Sequence, residues 1–235
     1  MDFTVFYRRV LTKIVGFIKF THLENFFWII FSQNKEYFGH KKDKWRKTSQ
    51  FIKDNNKLFK YWGFCSDDYI NKTIIDVGAG SKLRTKFFKQ AKIIAIEPLA
   101  NRFIKNITWC DLTDSEKVYS TPAEFYISDL KEKGDLIFCI NVLDHVKDYK
   151  QVLESTIPYL NEQGIYVLSV DLHEAKTIEH PISINEEELE KLFECLGVNI
   201  FKKVKMLPDH PFFGQGEAVT YFLKRKDYLS KLNAF

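Results

Sequence analysis

Apolar and polar residues follow different patterns on the two sides of residue 65. Residues 1–62 mix apolar and charged side chains in a way that predicts helices, and no proline interrupts them. From residue 72 onward, short apolar runs alternate with amphipathic segments, and glycine or proline stands at several junctions. We therefore predict an N-terminal helical cap or lid over residues 1–65 and a main domain over residues 66–235.

The main domain is predicted to contain strands and helices in alternation. Strands are predicted within KTIIDVGAG, AKIIAIEP, VYSTPAEF, GDLIFCINVLDHV, NEQGIYVLSVDL, VNIFKKVKML and GEAVTYFLKRK. Helices are predicted within SKLRTKFFKQ, DYKQVLESTIPYL and NEEELEKLFECLG, the last with acids in its first turn. This alternation predicts a doubly wound α/β fold, a mostly parallel sheet with helices on both faces. The two closing strands, close together in sequence, predict one antiparallel strand at or near the sheet edge.

Composition and charge fit a globular protein and exclude few functions. The chain has 235 residues, of which 45% are hydrophobic, and a net charge of +4, too small to indicate nucleic-acid binding by itself. The four cysteines are isolated, without a CxxC pair, which argues against a zinc ribbon or a disulfide scaffold. We predict no metal site and a cytoplasmic protein with reduced thiols.

The aromatic N-terminal segment contains no predicted membrane span. Its longest apolar run, FFWIIF, is far shorter than the roughly 20 residues that a spanning helix needs. Arginines and lysines among its apolar residues are compatible with peripheral contact with a membrane surface. A helical cap that covers the main domain is the interpretation we favour, with membrane contact as the alternative.

The stretch TIIDVGAGSKL, residues 73–83, is the first candidate binding element. In an open α/β sheet, ligands bind beyond the carboxyl ends of the strands, and Gly78 and Gly80 allow a tight turn there. A dinucleotide-binding fingerprint would need a third glycine at position 83, which is Leu83. Asp76, two residues before the first glycine, would repel a phosphate and attract an amine or a cation. The turn therefore disfavours a pyrophosphate ligand.

A second acid narrows the class of ligand. Glu97 ends the second predicted strand, 21 residues after Asp76, where such folds place the acid that binds both hydroxyls of a ribose. A ligand with an amine, a ribose and no phosphate fits both acids, and S-adenosylmethionine is such a ligand. The alternative is structural: an ordinary strand–helix turn, with two carboxylates that cap helices.

Five motifs in order resemble those of class I S-adenosylmethionine-dependent methyltransferases. IIDVGAGS resembles their first motif, IIAIEPLA the second, TPAEF the segment beside the adenine, DLIFCINVLDHV the fourth, and YLNEQGIYVLSVDL the hairpin that leads into strand five. The resemblance covers residues 72–224 and is greatest to the small-molecule, type 11-like branch. Lys82 and Leu83 depart from the usual small residues, and only Gly164 remains of the usual glycine pair before strand five.

The resemblance implies a fold and a set of cofactor contacts. The fold would be a Rossmann-like sheet of seven strands, with the last strand antiparallel. Asp76 would meet the methionine amine through water, and Glu97 would hold the ribose hydroxyls. The other implied contacts are Gly78 and Gly80 under the methionine and ribose, Pro98 and Leu99 beside the base, Ala123 and Glu124 at the adenine, and Cys139, Ile140 and Asn141 beside the methionine. The N-terminal segment, by its position, would form a lid over the acceptor.

Two histidines are candidate catalytic bases for a hydroxyl acceptor. His145 follows the fourth strand and His173 follows the fifth, both at the cofactor side of the sheet. Histidine is the usual base near neutral pH, and Asp144 or Asp171 could orient it. Alternatively, His145 packs at the start of the next helix and His173 is a loop residue.

We therefore predict a methyltransferase that acts on a small polar, sugar-like hydroxyl acceptor. One alternative is an NAD-dependent oxidoreductase, which shares the sheet and the acid of strand two but is disfavoured by Leu83 and Asp76. Another is a methyltransferase that acts on nucleic acid or at a membrane surface. Residues 141–144 read NVLD, unlike the NPPY-type motif used on base amines, which argues against nucleic acid. The sequence gives no signal for an oligomeric state.

Overall fold

The computed structural model describes residues 24–172, 182–205 and 217–226, with the side chains of the first helix described from residue 32. The helices are α1 (Glu24–Lys42), α2 (Ser49–Trp62), α3 (Ala100–Asn106), α4 (Tyr149–Thr156) and α5 (Glu186–Cys195). The strands are β1 (Thr73–Val77), β2 (Lys92–Ile96), β3 (Lys117–Tyr119), β4 (Gly134–Ile140), β5 (Leu160–Leu172), β6 (Val198–Lys205) and β7 (Glu217–Arg225).

All seven strands belong to one sheet, in the order β3-β2-β1-β4-β5-β7-β6. The pairs among β1 to β5 are parallel, and β7 is antiparallel to both of its neighbours. The predicted mostly parallel, seven-stranded sheet with an antiparallel last strand is confirmed. Val77, the last residue of β1, lies opposite Ile96 of β2 and Cys139 of β4. The carboxyl ends of these strands therefore meet at one edge of the sheet.

Alternate residues along the strands face two separate apolar layers. Ile75, Ile137 and Cys139 lie in the cluster formed with α4 and α5. Their neighbours Ile74, Leu136 and Phe138 lie in the cluster that contains Leu58, Phe59 and Trp62 of α2. Because side chains alternate between the two faces of a strand, the sheet is covered on both sides. The predicted doubly wound arrangement is confirmed.

The helix predicted at SKLRTKFFKQ is wrong, because the structure has only a 3-10 turn there, at Arg84–Phe87. Leu83 and Phe88 on either side have extended backbones. Phe88 is buried against Phe59 of α2 and Phe138 of β4, with ring centroids 5.4 and 5.8 Å away. Thus α2, which precedes the sheet in the sequence, occupies the face that a helix after β1 would cover.

Two other predicted helices are present, and a side chain caps the start of each. Asp148 precedes α4, and its side chain accepts hydrogen bonds from the backbone N–H groups of Lys150 and Gln151. α4 ends at Thr156, earlier than predicted, and the chain continues as a 3-10 turn that contains Pro158. Asn185 caps α5 in the same way, and α5 carries three glutamates in its first turn. These acids are favourable at the positive end of the helix dipole.

Some predicted features lie outside the described residues. They are residues 1–23 of the N-terminal segment and His173. Within the part of the chain that the structure covers, no helix is both long and apolar enough to cross a membrane. The division at residue 65 stays a prediction, although α2 shares its apolar layer with the sheet.

The contribution of α2 to the core can be measured with two variants of that helix. Phe59 is fully buried and its ring lies 5.0 Å from that of Phe138, whereas Tyr61 is 59% exposed. We expect Phe59→Ala to lower the free energy of unfolding by about 3–5 kcal/mol, because it leaves a cavity in the core. Tyr61→Ala should change it by less than about 0.5 kcal/mol. Urea unfolding monitored by circular dichroism checks both, and equal small effects would show that α2 is not part of the cooperative core.

Candidate functional site

The glycine turn after β1 requires glycine at both of its predicted positions. Gly78 and Gly80 have φ of +66° and +67°, a region that residues with a Cβ rarely adopt. A Cβ on Gly78 would overlap the side chain of Val142, and one on Gly80 would lie 2.7 Å from Cε1 of His40. The N–H of Gly78 donates to the carbonyl of Ile96 at 2.8 Å, which holds the turn against the end of β2.

Glu97 joins the glycine turn to the end of β2. Its Oε2 accepts the N–H of Gly80 at 2.9 Å, and its Oε1 accepts the N–H of Leu99 at 2.9 Å. The side chain is only 6% exposed. Burial raises the pKa of this carboxyl to about 7, although the two N–H donors act in the opposite direction. Each oxygen keeps a lone pair that could accept a hydroxyl of a ligand.

Asp76 is buried beneath the turn, close enough to Arg84 to feel its positive charge. Its Oδ2 accepts a hydrogen bond from the hydroxyl of Thr85 at 2.8 Å. Burial raises the pKa of Asp76 to about 6, and the positive charge of Arg84 and the Thr85 bond partly oppose that rise. Burial also lowers the pKa of Arg84 to about 10, against the effect of Asp76. The two groups therefore form an electrostatic pair below the ligand side of the turn.

One cavity brings together most of the predicted site residues. Its lining includes Gly78, Gly80, Glu97, Pro98, Leu99, Ala123, Glu124, Ile140, Asn141 and His145. Asp76 and Cys139 are buried and are not among the lining residues, whereas Arg84 is. The predicted contact of Asp76 with the methionine amine through water stays a prediction. Residues from the ends of β1, β2 and β4 thus share one site.

Glu124 and Asn141 are fixed by hydrogen bonds to neighbouring segments. The Oε1 of Glu124 accepts the N–H of Lys147 at 3.1 Å, and its carbonyl accepts the hydroxyl of Ser155 at 2.7 Å. Asn141 has a positive φ of +56°, and its N–H donates to the carbonyl of Ser169 on β5 at 2.9 Å. Asparagine tolerates this backbone region better than most residues, so the turn after β4 is tight and presents the Asn141 amide.

His145 lies in the loop after β4 and faces the same cavity. The amide nitrogen of Asn141 is 3.3 Å from its Nε2, and Oδ2 of Asp144 is 3.6 Å from that nitrogen. Asp144 is 1% exposed, so its carboxylate is a buried neighbour of the imidazole. Of the two predicted bases, His145 is in the site, and His173 is outside the described residues.

Four ionisable residues of the cavity wall were not predicted from the sequence: Glu36, His40, Arg46 and Arg84. His40 of α1 contacts the glycine turn, with Nδ1 2.8 Å from the hydroxyl oxygen of Ser81, and is bonded to Glu36 one turn earlier. A glutamate and a histidine four residues apart on a predicted helix were the only available signal. His40 lies 41 residues from Ser81, which it contacts, so local patterns could not place it in the site.

The site therefore contains three kinds of group that can contact a ligand. They are the carboxylate oxygens of Glu97, the positive charges of Arg84 and Arg46, and a turn in which Gly78 and Gly80 have no side chains. These groups fit a ligand with a ribose and an amino-acid end. In the described part of the chain, no group of three or more His, Cys, Asp or Glu side chains is arranged to hold a metal ion.

The sequence matches one protein family over most of the site. The family model, described as a methyltransferase domain, matches residues 41–202. No curated protein sequence matches the chain. Because the family match spans more than half of the 235 residues, it shows the family and excludes the oxidoreductase alternative.

Three solved structures share this fold at low sequence identity. One is the 1,6-didemethyltoxoflavin-N1-methyltransferase of Burkholderia thailandensis, bound to 1,6-didemethyltoxoflavin and S-adenosylhomocysteine, with 15% identity, a TM-score of 0.55, and coverage of 83% of this chain and 88% of that one. An S-adenosylmethionine-dependent methyltransferase of Clostridium acetobutylicum has 14% identity, a TM-score of 0.58, and coverage of 81% and 98%. A third, from Aquifex aeolicus, has 16% identity, a TM-score of 0.55, and coverage of 82% and 98%.

The glycine turn, Glu97 just after β2 and the cavity wall from Arg46 to Val146 lie inside the region that the family model matches, whereas the part of the wall formed by α1 precedes it. The chain belongs to the methyltransferase-domain family, as a class I enzyme that uses S-adenosylmethionine.

Proposed function

We propose that this enzyme methylates a hydroxyl oxygen of a small polar acceptor, with His145 as the general base. The observation that carries the proposal is the position of His145, in the same cavity as Glu97 and the glycine turn. Nε2 of His145 lies 3.3 Å from the amide nitrogen of Asn141 and 3.6 Å from Oδ2 of Asp144, and in its unprotonated form it could take the proton of an acceptor hydroxyl. We also propose a cytoplasmic location, which the four free thiols support.

The cofactor contacts follow from the charges in the cavity wall. Glu97 accepts the two ribose hydroxyls, while Gly78 and Gly80 leave room for the ribose and methionine. Arg84 binds the carboxylate of the methionine end, and Asp76 behind it contributes the negative charge that favours the amine. Pro98, Ala123, Glu124 and Asn141 flank the base and the methionine, as the family resemblance implies. When bound, S-adenosylmethionine supplies a methyl group on a positively charged sulfur, which leaves as a neutral thioether.

The protein's contribution to the chemistry is to orient the acceptor and accept its proton. As the acceptor hydroxyl loses its proton to Nε2 of His145, its oxygen becomes a better nucleophile. The imidazolium that forms is stabilised by the carboxylate of Asp144, 3.6 Å away. Holding the acceptor oxygen, the methyl group and the sulfur in line accounts for much of the remaining rate enhancement.

The position of α1 at the cavity favours a small acceptor. Ser32, Gln33, Glu36 and His40 of α1 line part of the cavity. An acceptor bound in the cavity beside α1 is shielded from part of the solvent, and a small molecule fits such a space better than a polymer. The same contacts support the assignment of residues 1–65 as a cap over the active site.

The proposal is tested with methyl-labelled S-adenosylmethionine and panels of small hydroxyl, amine, thiol and carboxylate compounds. We expect label in hydroxyl compounds. His145→Gln should lower kcat by about 100-fold to 10,000-fold, the typical contribution of a general base, and leave S-adenosylhomocysteine affinity within about twofold. Transfer only to amines or carbon, or full activity of the variant, would refute the proposal.

The role of Arg84 can be tested by comparing a ligand that has the amino-acid end with one that lacks it. Arg84→Gln should weaken binding of S-adenosylhomocysteine by about tenfold to 100-fold, because a charged hydrogen bond to the carboxylate is lost. Binding of methylthioadenosine, which lacks the amino-acid end, should be nearly unchanged. Isothermal titration calorimetry with both ligands checks this. Equal losses for the two ligands would mean that Arg84 acts on the fold of the turn instead.

The raised pKa of Glu97 predicts a pH dependence of cofactor binding. The ribose hydroxyls of the ligand would donate to Glu97 and stabilise its ionised form. At a pH near or below the Glu97 pKa of about 7, binding of the ligand therefore releases a proton. Affinity for S-adenosylhomocysteine should therefore fall severalfold as the pH decreases from about 8 to about 6. Calorimetry across this range, with Glu97→Gln as control, checks the sign. The variant should bind more weakly at every pH and with a flatter pH dependence.

A further inference from the structure

Glu36 of α1 is held in the cavity wall by hydrogen bonds that lead to the glycine turn. The backbone N–H of Ser81 donates to Nδ1 of His40 at 3.2 Å. A backbone N–H can only donate, so Nδ1 is unprotonated and the ring proton of His40 is on Nε2. That nitrogen donates to Oε1 of Glu36, 3.0 Å away. The Glu36 carboxylate is therefore fixed relative to the turn through one of its two oxygens.

The second oxygen of Glu36 is available to a ligand. In the part of the chain that the structure describes, Oε2 accepts no hydrogen bond. It lies on the side of His145, 3.9 Å from Nδ1, which is too far for a hydrogen bond. Both residues line the cavity, and the Glu36 side chain is 45% exposed. Oε2 must therefore take its donor from water or from a ligand.

The Glu36 carboxylate is ionised at neutral pH. Burial would raise its pKa, but the hydrogen bond from His40 and the basic groups of His40, His145 and Arg46 lower that pKa to about 2. An ionised carboxylate only accepts hydrogen bonds, so it attracts hydroxyl and ammonium groups and repels an acid. Glu36 can thus discriminate between ligands by their charge.

The charges around the proposed base also disfavour an acidic acceptor. Oδ2 of Asp144 lies 3.6 Å from Nε2 of His145, so a carboxylate lies within 4 Å of each ring nitrogen. Arg46 is a cation of the same cavity wall, but its Nε lies 2.9 Å from Oδ2 of Asp43, which offsets its charge. An acid group of an acceptor beside His145 would therefore meet charges of its own sign.

We propose that Oε2 of Glu36 binds a second donor group of the acceptor, a hydroxyl or an ammonium next to the hydroxyl that is methylated. The acceptors are then diols and amino alcohols, and hydroxy acids are rejected. This inference rests on the proposed methylation of a hydroxyl beside His145, and it makes Glu36 the residue that selects the acceptor. Arg84, the other arginine of the wall, binds the cofactor in the proposed function and does not alter this preference.

The test is ligand-observed NMR on the full chain saturated with S-adenosylhomocysteine. Four matched probes share a cyclohexane ring with one hydroxyl, and the neighbouring carbon carries a second hydroxyl, an amine, a methoxy group or a carboxylate. We expect the diol and the amino alcohol to bind the wild type about tenfold to 100-fold more tightly than the methoxy alcohol, because only they can donate to a charged oxygen. The hydroxy acid should bind most weakly.

Two variants isolate the charge of Glu36. In Glu36→Gln the side-chain carbonyl can still accept from His40, so α1 stays attached to the turn while an amide N–H₂ replaces Oε2. Binding of the amino alcohol should fall about tenfold or more and that of the diol severalfold, whereas binding of the hydroxy acid should rise severalfold. Glu154→Gln removes an exposed carboxylate of α4, and this matched control should keep the wild-type order.

Three results would overturn the proposal. They are equal binding of the four probes to the wild type, no binding by any of them, and an unchanged order of affinities in Glu36→Gln. The wild-type order decides by itself if α1 is displaced in the variant.

Methyl transfer separates this inference from the proposed function. In the labelled-methyl assay, Glu36→Gln should raise the KM for a diol severalfold with little change in kcat, because Glu36 binds the acceptor and takes no proton. The expected order of binding together with transfer only to amines would leave acceptor binding by Glu36 standing and refute hydroxyl methylation. Transfer to hydroxyl compounds with the same KM for the diol and the methoxy alcohol would refute the role of Glu36 alone.

Discussion

The hydrogen bonds of the Glu97 carboxylate are the interaction on which the geometry of the candidate site depends. The carboxylate accepts one N–H from the glycine turn and one from the residue after next in its own segment, and so fixes the ends of β1 and β2 relative to each other. A buried charge is costly, and its raised pKa of about 7 reflects this cost. A ligand that donates hydrogen bonds to the same two oxygens reduces this cost of burial. The buried negative charge of Glu97 is thus costly at the place where the ligand is expected to bind.

The N-terminal helices have two separate tasks. α2 completes the apolar layer on one face of the sheet, where the chain after β1 forms only a 3-10 turn. α1 reaches the cavity with polar side chains and contacts the glycine turn through His40. The first task concerns stability and the second concerns the site. A single boundary at residue 65 does not distinguish them.

Much of the fold could be predicted from the sequence, because strands with apolar runs and glycine turns are local signals. The order of motifs placed Gly78, Gly80, Glu97 and Asn141 at one edge of the sheet, and they line one cavity. The contacts of Glu36 and His40 could not be predicted, since they join segments about 40 to 110 residues apart. Arg84 was hidden by its position in a segment with an apparent helical pattern. The acceptor depends on side-chain contacts that no local pattern describes.

The place of β7 in the sheet has a consequence for how the chain folds as it is made. β7 is the last strand to be synthesised, yet it lies between β5 and β6 and pairs with both. α2 is synthesised long before β7, yet its Phe59 and Trp62 share an apolar layer with Phe222 of that strand. Until β7 has been synthesised, β5 has an unpaired edge and these aromatic rings lack part of their cover. Unpaired strand edges and exposed apolar side chains favour aggregation, so β7 protects the rest of the sheet only at a late stage of synthesis.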